Sequence, residues 1–213
     1  MLLYYITDRA QFAGDEDSRR RALLNKIAEA AACGIDFIQL REKDLPTREL
    51  ESLAHAAVRI IQENCGSRNQ RSRARLLINS RVDVAIACGA DGVHLRSDDI
   101  SPRDVRSLWA SSHGKGLPVV AVSCHTTVEV ARAASEGTDF AVFAPVFEKK
   151  DAPGSPAAGL TALREARLQN VPVLALGGIN LDNARSCIEA GAAGVAGIRL
   201  FQERNIGEVV RLL

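Results

Sequence analysis

The fold this sequence predicts is an α/β protein, a single (β/α)8 TIM barrel over residues 1–213, and two observations predict it. The first is a repeat. Four segments share one pattern: Cys33-Gly-Ile-Asp-Phe-Ile-Gln-Leu40, Cys88-Gly-Ala-Asp-Gly-Val-His-Leu95, Glu136-Gly-Thr-Asp-Phe-Ala-Val-Phe143 and Ala190-Gly-Ala-Ala-Gly-Val-Ala-Gly197. Each follows an alanine-rich stretch, has glycine second, and runs into β-formers. Glycine there reads as a helix C-terminal cap, because it enters the left-handed region without a Cβ clash. The second observation is spacing. Gly34, Gly89, Gly137 and Gly191 lie 55, 48 and 54 residues apart. One βα unit takes about 25–30 residues, so each interval holds two units and the chain holds eight. A doubly wound open sheet is the alternative, but Thr7-Asp8-Arg9-Ala10 lacks the glycine fingerprint expected after its first strand.

In chain order the expected strands are Leu3–Thr7, Asp36–Arg41, Leu76–Asn79, Gly92–Leu95, Val119–Ser123, Phe140–Ala144, Val173–Leu176 and Gly194–Ile198. They are short and nearly continuous in apolar residues, as strands buried on both faces of a parallel sheet are. Pro118 and Pro172 lead into the fifth and seventh. Helical patterns separate them, among them Leu23–Ala32, Arg48–Asn64, Asp104–Ser111 and Asn183–Ala190.

Composition excludes several functions. The 213 residues are 46% apolar and 25% charged, with 27 Lys plus Arg against 26 Asp plus Glu. A net charge of +1 gives no global pull toward nucleic acid or anionic membranes. The four arginines of Ser67–Arg75 precede the third strand and so belong to the end of the barrel away from function, as a solvated loop. Cys33, Cys65, Cys88, Cys124 and Cys187 form no CxxC pair, which fits reduced thiols. The start MLLYYITDRA lacks a signal peptide's basic region, and no run reaches the roughly 18 apolar residues of a membrane span. These readings give a cytoplasmic protein with a small-molecule ligand, its oligomeric state left open, a homo-oligomer included.

In such a barrel, function collects where strands end. Gln39 and Arg41 share one face of the second strand, with Lys43 just beyond. An amide, a guanidinium and an ammonium there suit an anionic ligand; the alternative is an internal ion pair of Arg41 with Glu42 or Asp8. Asn79-Ser80-Arg81 ends the third strand, Asp98 and Asp99 follow the fourth, and Ser123 and His125 end the fifth. His94 is expected in the core or behind the site, and Cys124 packs on the opposite face from its neighbours. Gly177-Gly178 and Gly197-Ile198 make turns after the seventh and eighth strands, where barrels bind phosphate through main-chain N–H groups. Phe147–Gly159, rich in glycine and proline, reads as a lid.

The stretches "YYITDR", "GIDFIQLREKD", "LLINSRVDVAIACGADGVHL", "VSCHT", "DFAVFAPVF", "PVLALGGI" and "AAGVAGI", in this order, resemble thiamine-phosphate synthase and its TenI-type relatives over nearly the whole chain. The resemblance implies a phosphorylated thiazole as ligand. In the synthases an aminopyrimidine diphosphate loses pyrophosphate and the thiazole nitrogen captures the pyrimidine methyl cation. Gln39, Arg41, Lys43 and Asn79 match positions that hold the diphosphate, while Gly178, Gly197 and Ile198 match the thiazole-phosphate site. Asp99 matches one of two magnesium aspartates. Ser80 stands where the other belongs. Arg96-Ser97 replaces the usual Gly-Gln, and Lys149 or Lys150 is the only substitute for a pyrophosphate-gripping lysine.

Magnesium takes hard anionic oxygens, and a neutral hydroxyl at Ser80 is a poor exchange for a carboxylate. That tips the expectation to a TenI-type thiazole carboxylate phosphate tautomerase, which moves a proton without a cofactor. Its catalytic residues would be His125, since an imidazole can both take and return a proton, and Lys43, with Ser123 among the ligand contacts. The alternatives are a divergent synthase using magnesium and the pyrimidine diphosphate, and a binder of thiazole or thiamine phosphate without chemistry.

Overall fold

The computed structural model describes residues 1–64, 74–112, 116–148, 154 and 156–213. Eight strands, β1 (Leu2–Ile6), β2 (Phe37–Leu40), β3 (Arg75–Asn79), β4 (Gly92–Leu95), β5 (Val119–Cys124), β6 (Phe140–Phe143), β7 (Val173–Ala175) and β8 (Gly194–Gly197), close in sequence order into a barrel. Every neighbouring pair is parallel, including β1 with β8. The helices are α1 (Glu16–Ala32), α2 (Thr47–Asn64), α3 (Val82–Cys88), α4 (Pro102–Ser111), α5 (Thr127–Ser135), α6 (Gly159–Ala166), α7 (Ala184–Glu189), α8 (Arg199–Gln202) and α9 (Ile206–Leu212). Helix α1 begins seven residues before its apolar pattern does, because the Asp15 carboxylate caps it by accepting from the Ser18 N–H. Among the described residues no helix is long and apolar enough to cross a membrane.

The repeat has a mechanical meaning. All four glycines take left-handed φ values, between +67° and +96°. The aspartate two residues later then clips the next strand to the previous one. Asp36 donates its N–H to the Leu3 carbonyl while its carboxylate accepts from the Leu3 N–H. Asp91 does the same to Leu76, and Asp139 to Val120. In the fourth repeat the position is Ala193, and only the main-chain bond to Val173 remains.

Inward-facing residues stack in layers drawn from alternate strands, as (β/α)8 barrels require. The lowest layer is Phe37, Gly92, Phe140 and Gly194, an alternation of large and small. The rings of Phe37 and Phe140 meet at 4.7 Å. The glycines are obligatory, since a Cβ on Gly92 would lie 1.9 Å from the Val119 carbonyl oxygen and one on Gly194 would lie 2.0 Å from that of Leu2. Above sit Tyr4, Leu77, Ala121 and Leu174, with Tyr4 edge-on to both phenylalanines. Arg75, the end of the arginine-rich stretch, lies over the Phe37 ring at 4.3 Å; residues 65–73 lie outside the described ones. A second apolar layer, between strands and helices, contains Ile38, Ile78, Val93, Val120 and Val195 against Ile27, Leu53, Val105, Trp109, Val130 and Leu163.

Candidate active site

The next two layers form the floor of the barrel mouth, and they are divided. Strands β2 to β5 supply Gln39, Asn79, His94 and Ser123; strands β6, β8 and β1 supply Val142, Ala196 and Ile6, and Leu176 follows directly on β7. One half of the floor is polar and the other apolar. The polar half is wired together. Gln39 Nε2 donates to the Tyr4 hydroxyl at 3.0 Å, that hydroxyl lies 3.0 Å from His94 Nδ1, and His94 Nε2 lies 2.7 Å from Ser123 Oγ. Burial, with Arg41 adding to it, pushes the His94 pKa down to about 3, so the imidazole is neutral. His94 is therefore in the core and behind the site, as its sequence position implies. Tyr4 is the member that sequence reasoning missed.

Above this floor stand three cations. Arg41 is half-buried and Lys43 exposed. The Lys43 pKa is lowered by the charge of Arg41, then by burial, then by Arg96, which sets all three on one rim. The alternative, an ion pair of Arg41 with Glu42 or Asp8, does not form. Glu42 is buried and taken by Arg9, through its main-chain N–H and its guanidinium at 3.1 Å, and by the Thr7 hydroxyl at 2.6 Å. Burial still raises the Glu42 pKa above the usual carboxylate value. Arg9 also binds Asp44 and Glu16. This network clips the β1 and β2 loops together, and no ion pair engages Arg41 or Lys43 among the described residues.

At the metal position of the resemblance, Ser80 adopts φ +57° and donates its hydroxyl to Asp99 Oδ2 at 2.6 Å. The same oxygen accepts the Arg96 N–H at 2.8 Å, and Oδ1 accepts the Arg96 guanidinium at 3.2 and 3.3 Å. Burial alone would raise the Asp99 pKa, but the bonds from Ser80 and Arg96 outweigh it and hold the group ionised below the usual range. Asp98 is exposed and also leans on Arg96, at 3.4 Å. Each Asp99 oxygen already accepts two donors, one carboxylate is absent, and a guanidinium balances the charge. These residues as arranged do not fit a two-carboxylate magnesium site.

His125, exposed beyond β5, places Nδ1 2.7 Å from the Ala144 carbonyl oxygen. A carbonyl only accepts, so Nδ1 carries hydrogen, and in the neutral ring Nε2 is the nitrogen with the free lone pair. Its main-chain N–H is held by Glu129, which closes the capping box of α5 with Thr126. Cys124 packs in the outer layer, its thiol pushed up to about 12 by burial. No hydrogen bond or ion pair joins Lys43 to His125 among the described residues.

The two glycine turns follow β7 and β8, on the apolar half of the floor. Gly177 and Gly178 have φ values of +95° and +65°. A Cβ on Gly177 would meet Pro145 at 2.7 Å, and one on Gly178 would meet the Glu148 carbonyl oxygen at 2.6 Å. The turns therefore need glycine for a reason sequence did not reveal. The β6–α6 loop lies directly on them, with Val146 N–H donating to Leu176 and Phe147 N–H to Gly177. Asn183 braces the same turn through the Gly178 carbonyl at 2.9 Å. Gly197 and Ile198 lead into α8, with Leu200 3.0 Å from where a Gly197 Cβ would stand. Lys149 and Lys150, with residues 151–153 and 155 of the expected lid, fall outside the described residues.

Residues 3–201 match the sequence profile of the family described as "Thiamine monophosphate synthase". A thiamine-phosphate synthase from Solidesulfovibrio magneticus is 42% identical over 175 residues, covering 80% of this chain and 73% of that protein. One from Methanoculleus marisnigri is 39% identical over 197 residues, covering 91% and 84%. Among solved structures, thiamine phosphate pyrophosphorylase from Pyrococcus furiosus superposes with a TM-score of 0.78 at 28% identity, over 100% of this chain and 93% of that one. A 3-hexulose-6-phosphate synthase, at 16% identity and a TM-score of 0.68, shares the fold.

Proposed function

The chain belongs to the thiamine monophosphate synthase family of thiamine-biosynthesis enzymes, and from that membership we propose that it joins a phosphorylated thiazole to an aminopyrimidine diphosphate, releasing pyrophosphate. The names of its relatives support coupling over the tautomerase that Ser80 favours in sequence. The observation that carries the reading is the division of the mouth. A rim of Arg41, Lys43 and Arg96 stands over the polar half of the floor, and glycine turns stand over the other. Two anion-binding halves suit two phosphorylated substrates lying ring to ring between them.

In this reading the bond from the pyrimidine methyl carbon to the diphosphate oxygen breaks, and the electron pair leaves with pyrophosphate. The thiazole nitrogen lone pair then bonds to the methyl cation. The charge that grows on the leaving group falls on the three cations, whose preorganised positions are worth most in a partly water-excluded site. Asn79 and Ser123 orient the polar edge of the pyrimidine, with Gln39 behind them, and the main-chain N–H groups around Gly178 and Gly197 hold the thiazole phosphate. No step is assigned to magnesium, since the Ser80–Asp99–Arg96 cluster does not fit it.

A second reading, the tautomerase, has its own support in His125, whose Nε2 is placed to take and return a proton, and in the closure of Asp99. One paired assay separates the readings. Supplied with both phosphorylated substrates, the enzyme is expected to form thiamine phosphate at the same rate with and without chelator. No coupling, with solvent deuterium entering the thiazole carboxylate phosphate and lost in His125→Ala, would establish the tautomerase instead. Tight thiazole phosphate binding with neither reaction would leave a binder.

A further inference from the structure

The buried Gln39–Tyr4–His94 chain ends on Ser123, and its direction is set by hydrogen counting. Gln39 turns its amide nitrogen to the Tyr4 oxygen. Burial raises the Tyr4 pKa far above its usual value, so the phenol keeps its proton. That proton sits inside the barrel between Phe37, Phe140 and His94. If His94 carried hydrogen on Nδ1, the Tyr4 oxygen would receive two donors and its own O–H would be stranded, which buried groups avoid. The consistent arrangement has Tyr4 donating to Nδ1, which puts the imidazole hydrogen on Nε2. His94 then donates to Ser123 Oγ at 2.7 Å. Ser123, occupied as an acceptor, is left with its proton to give, and it stands half-buried at the mouth.

We propose that Gln39, Tyr4 and His94 are positioning residues that fix Ser123 as a hydrogen-bond donor to a lone-pair atom of the bound substrate, so that the polar half of the site selects an acceptor there and discriminates against an N–H or O–H. This rests on the proposed substrate site, but the direction of the chain is testable without turnover. Long-range proton–nitrogen NMR of histidine-labelled protein reads the tautomer of His94 directly. The expected result is hydrogen on Nε2 in the parent protein. In Gln39→Glu a carboxylate replaces the amide donor, Tyr4 must give its proton to it, and the chain reverses, moving the His94 hydrogen to Nδ1. Hydrogen on Nδ1 in the parent, or no change in Gln39→Glu with an unchanged melting temperature, overturns the proposal. The ligand half is tested by Ser123→Ala, which is expected to weaken aminopyrimidine diphosphate binding about tenfold; unchanged affinity overturns that contact. A parent protein that binds no pyrimidine diphosphate, yet shows the predicted tautomer and its reversal, would reject the coupling reaction while leaving the chain's direction established.

Discussion

The two ends of the barrel handle polar residues in opposite ways. At the N-terminal end, Asp36, Asp91 and Asp139 are each satisfied by the adjoining strand, and the axis is closed by Phe37, Phe140 and Tyr4. At the C-terminal end, Arg41 and Lys43 stand on the rim with no ion pair among the described residues, and the half-buried Asn79 and Ser123 lie below them, with buried Gln39 and His94 behind. The same strands carry both arrangements only two residues apart, as Phe37 and Gln39 on β2 or Gly92 and His94 on β4 do. The contrast teaches that stability and ligand chemistry are separated along the axis, and that Tyr4 is where they meet.

The largest effect that would test this separation is Gly92→Ala. A methyl group 1.9 Å from the Val119 oxygen forces strands apart, and a loss of about 3 kcal/mol or more is expected, read as lost soluble yield or a collapsed melting temperature. At the other end, Lys43→Ala or Arg41→Ala is expected to lower kcat/KM for coupling about 100- to 1,000-fold, with the melting temperature nearly unchanged. An intermediate effect belongs to the lower end again. Asp139→Ala strands the Val120 N–H and should cost about 1–3 kcal/mol, measured by denaturant unfolding, with turnover per folded molecule preserved. A loss of turnover there would contradict the separation.

An effect of similar size, seen only on acidification, tests the meeting point. An unfolded histidine charges near pH 6.5, whereas burial keeps native His94 neutral down to about pH 3. Between those values the unfolded state binds the extra proton, so stability falls as pH falls, by up to about 1.4 kcal/mol per unit. Comparing unfolding midpoints from pH 7 to 4 in the parent and in His94→Gln isolates this contribution, which the variant should lack. The smallest change expected is in Ser80→Asp. Position 80 already has the left-handed backbone that aspartate tolerates better than most residues, so folding should be little altered. The second carboxylate should compete with Asp99 for Arg96 and make binding or turnover respond to magnesium.

Much of this was legible in sequence because it is local. Glycine caps and short apolar runs locate all eight strands, and the departure at Ser80 is visible against the family pattern. What escaped depends on distance along the chain. Tyr4 read as one more core residue because its partners are 35 and 90 positions away. Arg9 and Glu42, 33 apart, lock two loops by a pairing that no local pattern announces. The repeated aspartate was a letter in a pattern until its reciprocal bonds to the preceding strand gave it a purpose. Gly177 and Gly178 suited a phosphate turn, and only the overlying Pro145 and Glu148 show that packing demands them too.

The aromatic plug beneath the floor makes the pocket a sack with one opening. Whatever reaches the floor must pass the rim of Arg41, Lys43 and Arg96 on the way in and again on the way out. Entry and exit share one path, and Phe37 and Phe140, at the far end of the barrel, are what make it so.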